Sequence, residues 1–273
     1  MATKHVQRKK ITTRFLKDMK ERGEKICALT AYDYNFAGLA DDVGVELILV
    51  GDSLGMTMLG YDNTIPVTLE QSLHHTAAVA RGVNRALVIG DMPFLTYNIS
   101  MAQALENAGR YLQETGADGV KLEGGQRVAP TIERLVEAGI PVLGHIGILP
   151  QSVLKEGGYR VHGRTKEEFE QLKRDARAIE DAGAFGLVLE GIPVDRSREL
   201  TEMLTIPTIG IGAGPHCDGQ VQVIHDILGL FEKFKPRHTK RYAELGREIR
   251  EAIGDYRDEV KSVAFPSAEQ SFE

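Results

Sequence analysis

Four carboxylates follow short apolar runs in this 273-residue chain, and each stands beside a glycine. They are Asp52 in "LILVGDSLG", Asp91 in "LVIGDMP", Glu123 in "VKLEGG" and Glu190 in "LVLEGIP". A single aspartate after a strand is an ordinary turn or helix-capping residue. Four such cases indicate a shared role, because carboxylates gathered in one place repel one another unless a cation or raised pKa values compensate.

The atoms that this cluster offers to a cation are oxygens. Cys27 and Cys217 lie far apart in the chain, without CxxC spacing or a partner histidine motif, which argues against a zinc site and against a disulfide scaffold. Carboxylate oxygens favour a hard ion such as Mg²⁺. The sequence therefore predicts a bound Mg²⁺ at the carboxylate cluster.

Two further side chains could face the cluster. Lys121 stands two residues before Glu123, so both side chains point to the same side of a strand. Lys121 either forms an ion pair that closes the sheet or offsets the excess negative charge so that an anionic substrate can approach. His145, in "LGHIGILPQ", falls at a predicted strand end, where it is either a hydrogen-bonded structural residue or a catalytic one.

The elements that carry these residues alternate between short β-branched runs and longer amphipathic segments, which is typical of βα units and a parallel sheet. Eight strands are predicted, at Ile26–Thr30, Leu47–Val50, Ala86–Gly90, Gly119–Leu122, Pro141–Gly144, Gly186–Leu189, Thr208–Ile211 and Val221–Ile227. Eight such units in ~250 residues predict a single TIM (β/α)8 barrel, with a doubly wound open sheet as the alternative. In either fold the carboxyl ends of the strands share one face, so the four carboxylates should converge there.

Helix signals support this organisation. A helix is predicted near Thr13–Arg22, and capping boxes are predicted at Ser100 and Thr165. No Pro/Gly/Ser-rich linker divides the chain, so residues 1–273 are predicted to form one barrel domain with an N-terminal helix and a short C-terminal tail. The glycines of "IGIGAG" at 209–214 could form a phosphate cradle, although a tight turn explains them equally well.

Composition excludes several classes of partner. The formal net charge of −6 is well mixed along the chain, and 6% aromatic residues without Trp offer no surface for nucleic acid. No apolar run approaches the ~20 residues of a membrane span. The basic start "MATKHVQRKK" lacks the apolar centre of a signal peptide. We therefore expect a cytoplasmic protein with neither a nucleic-acid nor a membrane partner.

An ordered set of motifs resembles the ketopantoate hydroxymethyltransferase family over almost the whole chain. The motifs are "LTAYDYNFAGLADDVG", "LVGDSLGM", "GYDNTIPVTLE", "GDMPF", "VKLEGG", "PVLGHIGILPQS", "VLEGIP" and "IGIGAGPHCDGQV". The resemblance implies a TIM barrel that binds Mg²⁺ and assembles as a homodecamer of two pentameric rings. It also implies transfer of a one-carbon unit from 5,10-methylenetetrahydrofolate to C3 of 3-methyl-2-oxobutanoate through a Mg²⁺-stabilised enolate, a step of pantothenate and coenzyme A biosynthesis.

The resemblance also implies roles for individual residues. The metal residues would be Asp52, Asp91 and Glu123, while Ser53 and Lys121 would contact the 2-oxo acid together with Asp52, Asp91 and His145, and Glu190 would be the general base. The sequence departs from the family pattern at two places. Gly191 stands where the family often has Cys or another small residue, and "GILPQ" replaces the commoner "GLTPQ".

Two other readings compete with this one. The phosphoenolpyruvate mutase and isocitrate lyase class shares the Mg²⁺ and 2-oxo acid chemistry, but it carries a Lys-Lys-Cys-Gly type loop with a reactive cysteine, and this chain has no such loop. A barrel that kept its fold and lost its chemistry would serve as a binding module. Such a loss would most simply occur at the metal residues or the base, and all of these are present.

Overall fold

Eight strands pair in parallel and in chain order into a closed barrel, β1 to β8. The barrel closes where Ile26 of the first strand pairs with Gly219 of the last. This closure confirms the predicted TIM barrel and excludes the open sheet. The computed structural model describes residues 9–231 and 236–272. Residues 1–8 lie outside that part. They include most of the basic start on which the expectation of no signal peptide rests.

The strands are β1 Ile26–Thr30, β2 Leu47–Val50, β3 Leu87–Asp91, β4 Gly119–Glu123, β5 Val142–Gly147, β6 Gly186–Glu190, β7 Thr208–Ile211 and β8 Gly219–Gln222. The α-helices are α1 Thr13–Glu21, α2 Tyr34–Asp42, α3 Leu54–Thr57, α4 Leu69–Gly82, α5 Met101–Arg110, α6 Ala129–Glu137, α7 Val153–Glu156, α8 Lys166–Asp181, α9 Val194–Met203, α10 Ile224–Ile227 and α11 Leu245–Lys261. A π-helical turn, Tyr111–Thr115, continues α5, and 3₁₀ turns lie at Pro150–Ser152 and Ala268–Gln270.

The chain divides into two compact units, residues 1–223 and 224–273. The first unit contains the barrel with helices α1 to α9, and the second contains α10, α11 and the last 3₁₀ turn. Within the second unit the rings of Tyr256 and Phe265 meet edge to face, with centroids 5.5 Å apart. The single-domain organisation expected from the sequence stays a prediction.

Two predictions about elements need correction. The last strand was expected at Val221–Ile227, but the strand is Gly219–Gln222 and residues 224–227 form α10. Gln220 points outward and Val221 inward, so a short polar strand precedes most of the apolar run on which the prediction was based.

At Ser100 only half of the expected capping box forms. The Ser100 hydroxyl accepts the Gln103 N–H, but the buried Gln103 Oε1 has no hydrogen-bond partner among the described residues. The box at Thr165 is complete.

Apolar side chains fill the lower part of the barrel. Alternate strand residues point inward and form one core: Ile26, Ala28, Leu47, Leu49, Leu87, Ile89, Leu143, Val188, Ile209 and Val221. Leu16 and Met19 of α1 join this core, which explains why the predicted N-terminal helix carries an apolar stripe. Charged side chains are therefore confined to the other end of the strands. Among the described residues, no helix combines the length and apolar character that crossing a membrane requires.

Candidate active site

Strand periodicity carries charged residues into the barrel above the apolar core. On β3, Leu87 and Ile89 belong to the interior core, so Asp91, two residues further on, faces the same interior. On β4 the same period of two brings Lys121 and Glu123 inward, and Asp91 is the register partner of Lys121. All three charged residues are buried, with 1% to 5% of their surface exposed.

The neighbouring strands complete the group. On β5, His145 lies two residues after the core residue Leu143 and is the register partner of Glu123. His145 was expected at the end of its strand, but β5 continues to Gly147, because Gly147 still pairs with Glu190 of β6. Asp52 stands two residues beyond the end of β2. The sequence-predicted carboxylates, Lys121 and His145 thus come from consecutive strands of one barrel rim.

The Lys121 ammonium group lies between two carboxylates. Its Nζ is 2.7 Å from Asp91 Oδ1 and 3.5 Å from Glu123 Oε1. Burial by itself lowers the pKa of Lys121, but the carboxylates of Asp91, Glu123 and Asp52 raise it further than burial lowers it. Lys121 is therefore a fixed positive charge at the centre of the rim.

The His145 ring bridges the other two carboxylates. Its Nδ1 lies 3.4 Å from Glu123 Oε1 and its Nε2 lies 3.3 Å from Glu190 Oε2. Neither contact has hydrogen-bond geometry, so attraction between charges links the ring to its partners. Burial lowers the pKa of His145, but the two glutamates outweigh burial and raise it to about 9. The glutamates therefore favour the protonated ring, and the ring connects Glu190 to the rest of the cluster.

Carboxylate charge in the rim is only partly compensated. Burial, together with the charges of Asp91 and Glu123, raises the pKa of Asp52 to about 8. Burial also raises the pKa of Asp91, against the opposing effect of Lys121. The Glu123 carboxylate is ionised more easily, because Lys121 and His145 lower its pKa more than burial raises it. Asp52 and Asp91 are thus the carboxylates on which a further cation would act most strongly.

The residues fit a Mg²⁺ site built from two carboxylates. The Asp52 N–H donates to Asp91 Oδ2 over 3.1 Å, so these buried acids lie side by side, and burial is the main cause that raises the pKa of each. Mg²⁺ in proteins takes one or two carboxylates and keeps several waters. Among the described residues, no three His, Cys, Asp or Glu side chains gather at a common point suited to a metal ion.

Ser53 adjoins Asp52 at the start of α3. Its side chain is partly buried, and its Oγ lies 2.7 Å from the Tyr32 hydroxyl. Ser53 provides no capping bond to α3, so the helix does not account for the hydroxyl. The expected contact of Ser53 with a 2-oxo acid stays a prediction.

Gln151 and Tyr97 belong to the rim, but sequence reasoning did not select them. Gln151 donates from its side chain to Asp52 Oδ2 at 3.1 Å and from its backbone N–H to Glu123 Oε2 at 3.1 Å. The Tyr97 hydroxyl donates to Gln151 Oε1 at 2.8 Å. Both residues are buried. Gln151 stands in the quoted motif "PVLGHIGILPQS", where the one available signal was an uncharged amide directly after a proline.

The π-helical turn supports Asp91 from outside the barrel. The Tyr111 hydroxyl donates to the backbone oxygen of Asp91 at 2.8 Å, and Ser72 Oγ donates to the same oxygen at 3.0 Å. The Tyr111 ring covers Gly90, where a Cβ atom would lie 2.3 Å from a ring carbon. A glycine before Asp91 is therefore required by the close approach of this ring.

The two departures from the family pattern meet in space. Gly191 has φ +58°, and a Cβ there would lie 2.3 Å from Ile148 Cδ1. Ile148 is the second residue of "GILPQ", so the glycine makes room for this isoleucine beside the rim. In the "IGIGAG" segment, a Cβ on Gly214 would meet a Val194 methyl at 2.8 Å, so packing accounts for that glycine without a phosphate.

Solved structures of low sequence identity share the fold. Phosphonopyruvate hydrolase superposes with a TM-score of 0.59 at 14% identity and covers 95% of this chain and 93% of its own. The 2,3-dimethylmalate lyase of the PEP mutase/isocitrate lyase superfamily gives a TM-score of 0.59 at 18% identity, covering 96% and 91%. At these identities the likeness establishes the barrel alone.

Sequence comparison is more specific. Proteins named 3-methyl-2-oxobutanoate hydroxymethyltransferase are similar to this chain along nearly its whole length. The one from Moorella thermoacetica is 54% identical over 266 residues, covering 97% of this chain and 99% of its own. The one from Chloroflexus aurantiacus is 56% identical over 262 residues, covering 96% and 92%. A family model described as ketopantoate hydroxymethyltransferase matches residues 10–268. The chain therefore belongs to the ketopantoate hydroxymethyltransferase family.

Proposed function

We propose that this protein transfers a hydroxymethyl group to C3 of 3-methyl-2-oxobutanoate and so forms 2-dehydropantoate. The one-carbon donor is 5,10-methylenetetrahydrofolate, and a water molecule completes the hydroxymethyl group. The observation that carries the proposal is the single buried group at the barrel rim, in which contacts of 2.7 to 3.5 Å join Asp91, Lys121, Glu123, His145 and Glu190. The family to which the chain belongs supports the same reaction.

Asp52 and Asp91 are the residues that would hold Mg²⁺ directly. Glu123 is already engaged by Lys121, His145 and the Gln151 N–H, so we expect it to reach the metal through a bound water. When bound, Mg²⁺ would supply a Lewis acid for the oxygens of the 2-oxo acid. Lys121 and Ser53 would then bind and orient the substrate carboxylate beside it.

Glu190 is the residue proposed to take the C3 proton. Its side chain is 18% exposed, whereas that of Glu123 is 2% exposed, so Glu190 is the more accessible carboxylate on the rim. The His145 ring lies 3.3 Å from the Glu190 carboxylate and would hold it at the rim, where a carboxylate within hydrogen-bond reach of the substrate can accept the proton. Loss of the proton leaves an enolate whose C3 bonds to the methylene carbon of the donor. Both bonds from that carbon to folate nitrogens break, water supplies the hydroxyl group, and the two nitrogens take the C3 proton and the remaining proton of the water.

The family resemblance supports three further proposals. The reaction belongs to pantothenate and coenzyme A biosynthesis, the protein is cytoplasmic, and it assembles as a homodecamer. Apolar side chains that a monomer leaves exposed are consistent with assembly: on the outer helix α2 and just after it, Tyr34, Leu39 and Val43 are 58%, 62% and 82% exposed.

Two linked measurements test the proposed function. Proton NMR should show exchange of the C3 proton of 3-methyl-2-oxobutanoate in D₂O with protein and Mg²⁺, without the folate. Adding 5,10-methylenetetrahydrofolate should give 2-dehydropantoate. Exhaustive chelation should abolish both signals, and Mg²⁺ should restore them. Absence of both exchange and transfer in the presence of Mg²⁺ would reject the proposal.

A further inference from the structure

Gln151 ties together the ends of three strands. Its side-chain Nε2 donates to Asp52 Oδ2 beyond β2, at 3.1 Å, and to the backbone oxygen of Met92 beyond β3, at 3.0 Å. Its backbone N–H donates to Glu123 Oε2 at the end of β4, at 3.1 Å. Gln151 is 5% exposed, so these bonds form away from bulk water. One residue thus holds two of the three carboxylates expected around the metal.

Tyr97 fixes which way the Gln151 amide points. The Glu123 N–H donates to the Tyr97 hydroxyl oxygen at 3.2 Å, so the phenol proton must point elsewhere. The closest acceptor for it is Gln151 Oε1, at 2.8 Å. If the amide were reversed, its oxygen would face the Asp52 carboxylate and the Met92 carbonyl, leaving acceptors against acceptors. The amide NH₂ group is therefore directed at Asp52.

An uncharged donor at this position has a chemical advantage. Lys121 already compensates Asp91 and Glu123. A second fixed cation next to Asp52 would neutralise the carboxylate that the metal needs, whereas an amide holds that carboxylate in place and leaves its charge available. A buried amide with all its partners satisfied also fixes one arrangement of the groups around it.

We infer that Gln151 is a positioning residue for Asp52, and that Tyr97 acts on Asp52 through the Gln151 amide. Together they preorganise the carboxylate for Mg²⁺ before the metal binds. This inference rests on the proposed function for its metal. It goes further by assigning metal affinity to two uncharged residues that would not themselves bind the ion.

Calorimetric titration of the metal-free, full-length protein with Mg²⁺ alone tests the inference. Gln151→Met keeps the length and the backbone bond to Glu123 but removes the side-chain hydrogen bonds, and it should weaken Mg²⁺ binding by about 10- to 100-fold. Tyr97→Phe keeps the ring and should weaken binding less. The double variant should bind no worse than Gln151→Met, because Tyr97 reaches Asp52 only through the amide, and its bond with Glu123 involves the backbone N–H rather than the carboxylate. Gln126→Met is the matched control on an exposed loop after β4 and should bind like the unmodified protein.

Activity gives a second readout, since transfer by the Gln151→Met variant should approach the unmodified rate once Mg²⁺ is saturating. An unchanged Mg²⁺ affinity in Gln151→Met overturns the inference, and so do losses that multiply in the double variant. If Gln151→Met does not fold, the Mg²⁺ affinity of Tyr97→Phe is measured instead, and an unchanged affinity in that variant also overturns the inference. If the unmodified protein does not bind Mg²⁺, that separate result rejects the Mg²⁺ dependence of the proposed function and also rejects this inference.

Discussion

Glu190 differs from Asp91 and Glu123 in its exposure, since 18% of its side chain is exposed against 2% of each of theirs, and it contacts His145 at 3.3 Å. Glu190→Gln keeps nearly the same shape but cannot accept a proton. We expect the variant to bind Mg²⁺ and the 2-oxo acid normally and to lose ~10²- to 10⁴-fold in rate, equally in C3 deuterium exchange and in complete transfer. Glu199→Gln, at a half-exposed position on α9, is the control. Normal exchange with failed transfer would mean that another group removes the C3 proton and that Glu190 handles the folate.

Lys121 forms ion pairs with Asp91 and Glu123. These ion pairs are compatible both with a structural role of the lysine in the barrel and with a role in binding an anionic substrate. Lys121→Met keeps the apolar stem and removes the charge. If Lys121 binds substrate, apparent affinity for 3-methyl-2-oxobutanoate should fall by about 10- to 100-fold, the effect of losing a charged hydrogen bond. Titration and thermal unfolding should both be measured with saturating Mg²⁺. A large loss of thermal stability with unchanged affinity would instead make the lysine a structural ion pair.

The pKa of Asp52, about 8, has a consequence for stability. An unfolded aspartate titrates near ~3.9, so the folded protein binds more protons than the unfolded chain between these pH values. The stability of the metal-free protein should therefore fall as the pH rises from about 4 to about 8. In Asp52→Asn this contribution disappears, so the thermal midpoint measured with EDTA should fall less steeply between pH 5 and 8. The exposed Asp195→Asn change should leave the slope unaltered; an equal slope in both variants would contradict the assignment.

The sequence predicted the charged rim residues and missed the neutral ones for a physical reason. Asp91, Lys121 and Glu123 lie on strands, where a period of two decides which way each side chain points. Gln151 lies in the 3₁₀ turn of the connection after β5, and Tyr97 lies in the loop after β3. Loop paths depend on contacts distant in sequence, and an amide or phenol carries no charge that would call for a partner.

At the scale of single elements, β3 and the π-helical turn are fitted to each other at Gly90. Gly90→Ala would bring its new methyl carbon within 2.3 Å of the Tyr111 ring, so we expect it to lower the free energy of unfolding by about 1–3 kcal/mol. Gly109→Ala, in α5, meets nothing within 4 Å and should raise it by about 0.5–1 kcal/mol. Urea denaturation of both variants measures the difference. Equal stability of the two variants would show that the π-helical turn can shift to accommodate the new methyl group.

Most elements followed from local pattern, and the exceptions are informative. Apolar runs located seven strands to within a few residues. The eighth strand is polar and short, so its place depends on pairing with Ile26 and Ile209. The π-helical turn had no sequence signal either. It forms because Tyr111 is held over Gly90 and beside Asp91, and these contacts exist only once the barrel has formed.

At the scale of the whole molecule, local patterns predicted the number of strands but not their closure into a barrel. Closure depends on β1 meeting β8, which are almost 200 residues apart in the chain, and no local pattern reports such a pairing. Once the barrel is closed, the apolar core and the charged rim occupy opposite ends of the strands. The apolar end of the barrel therefore contributes stability, and the charged end carries the candidate site.

The unequal charge of the rim sets an order of events for binding. Once the carboxyl groups of Asp52 and Asp91 are ionised, carboxylates outnumber cations there, since Asp52, Asp91, Glu123 and Glu190 face Lys121 and the His145 ring. Such a field attracts a divalent cation and repels a 2-oxo acid, so the cation should bind first and the acid second. Titration with 3-methyl-2-oxobutanoate should give no binding in EDTA and clear binding with Mg²⁺, and added salt should slow association of the metal. Equal affinity for the acid with and without metal would mean that its approach is governed by shape rather than by charge.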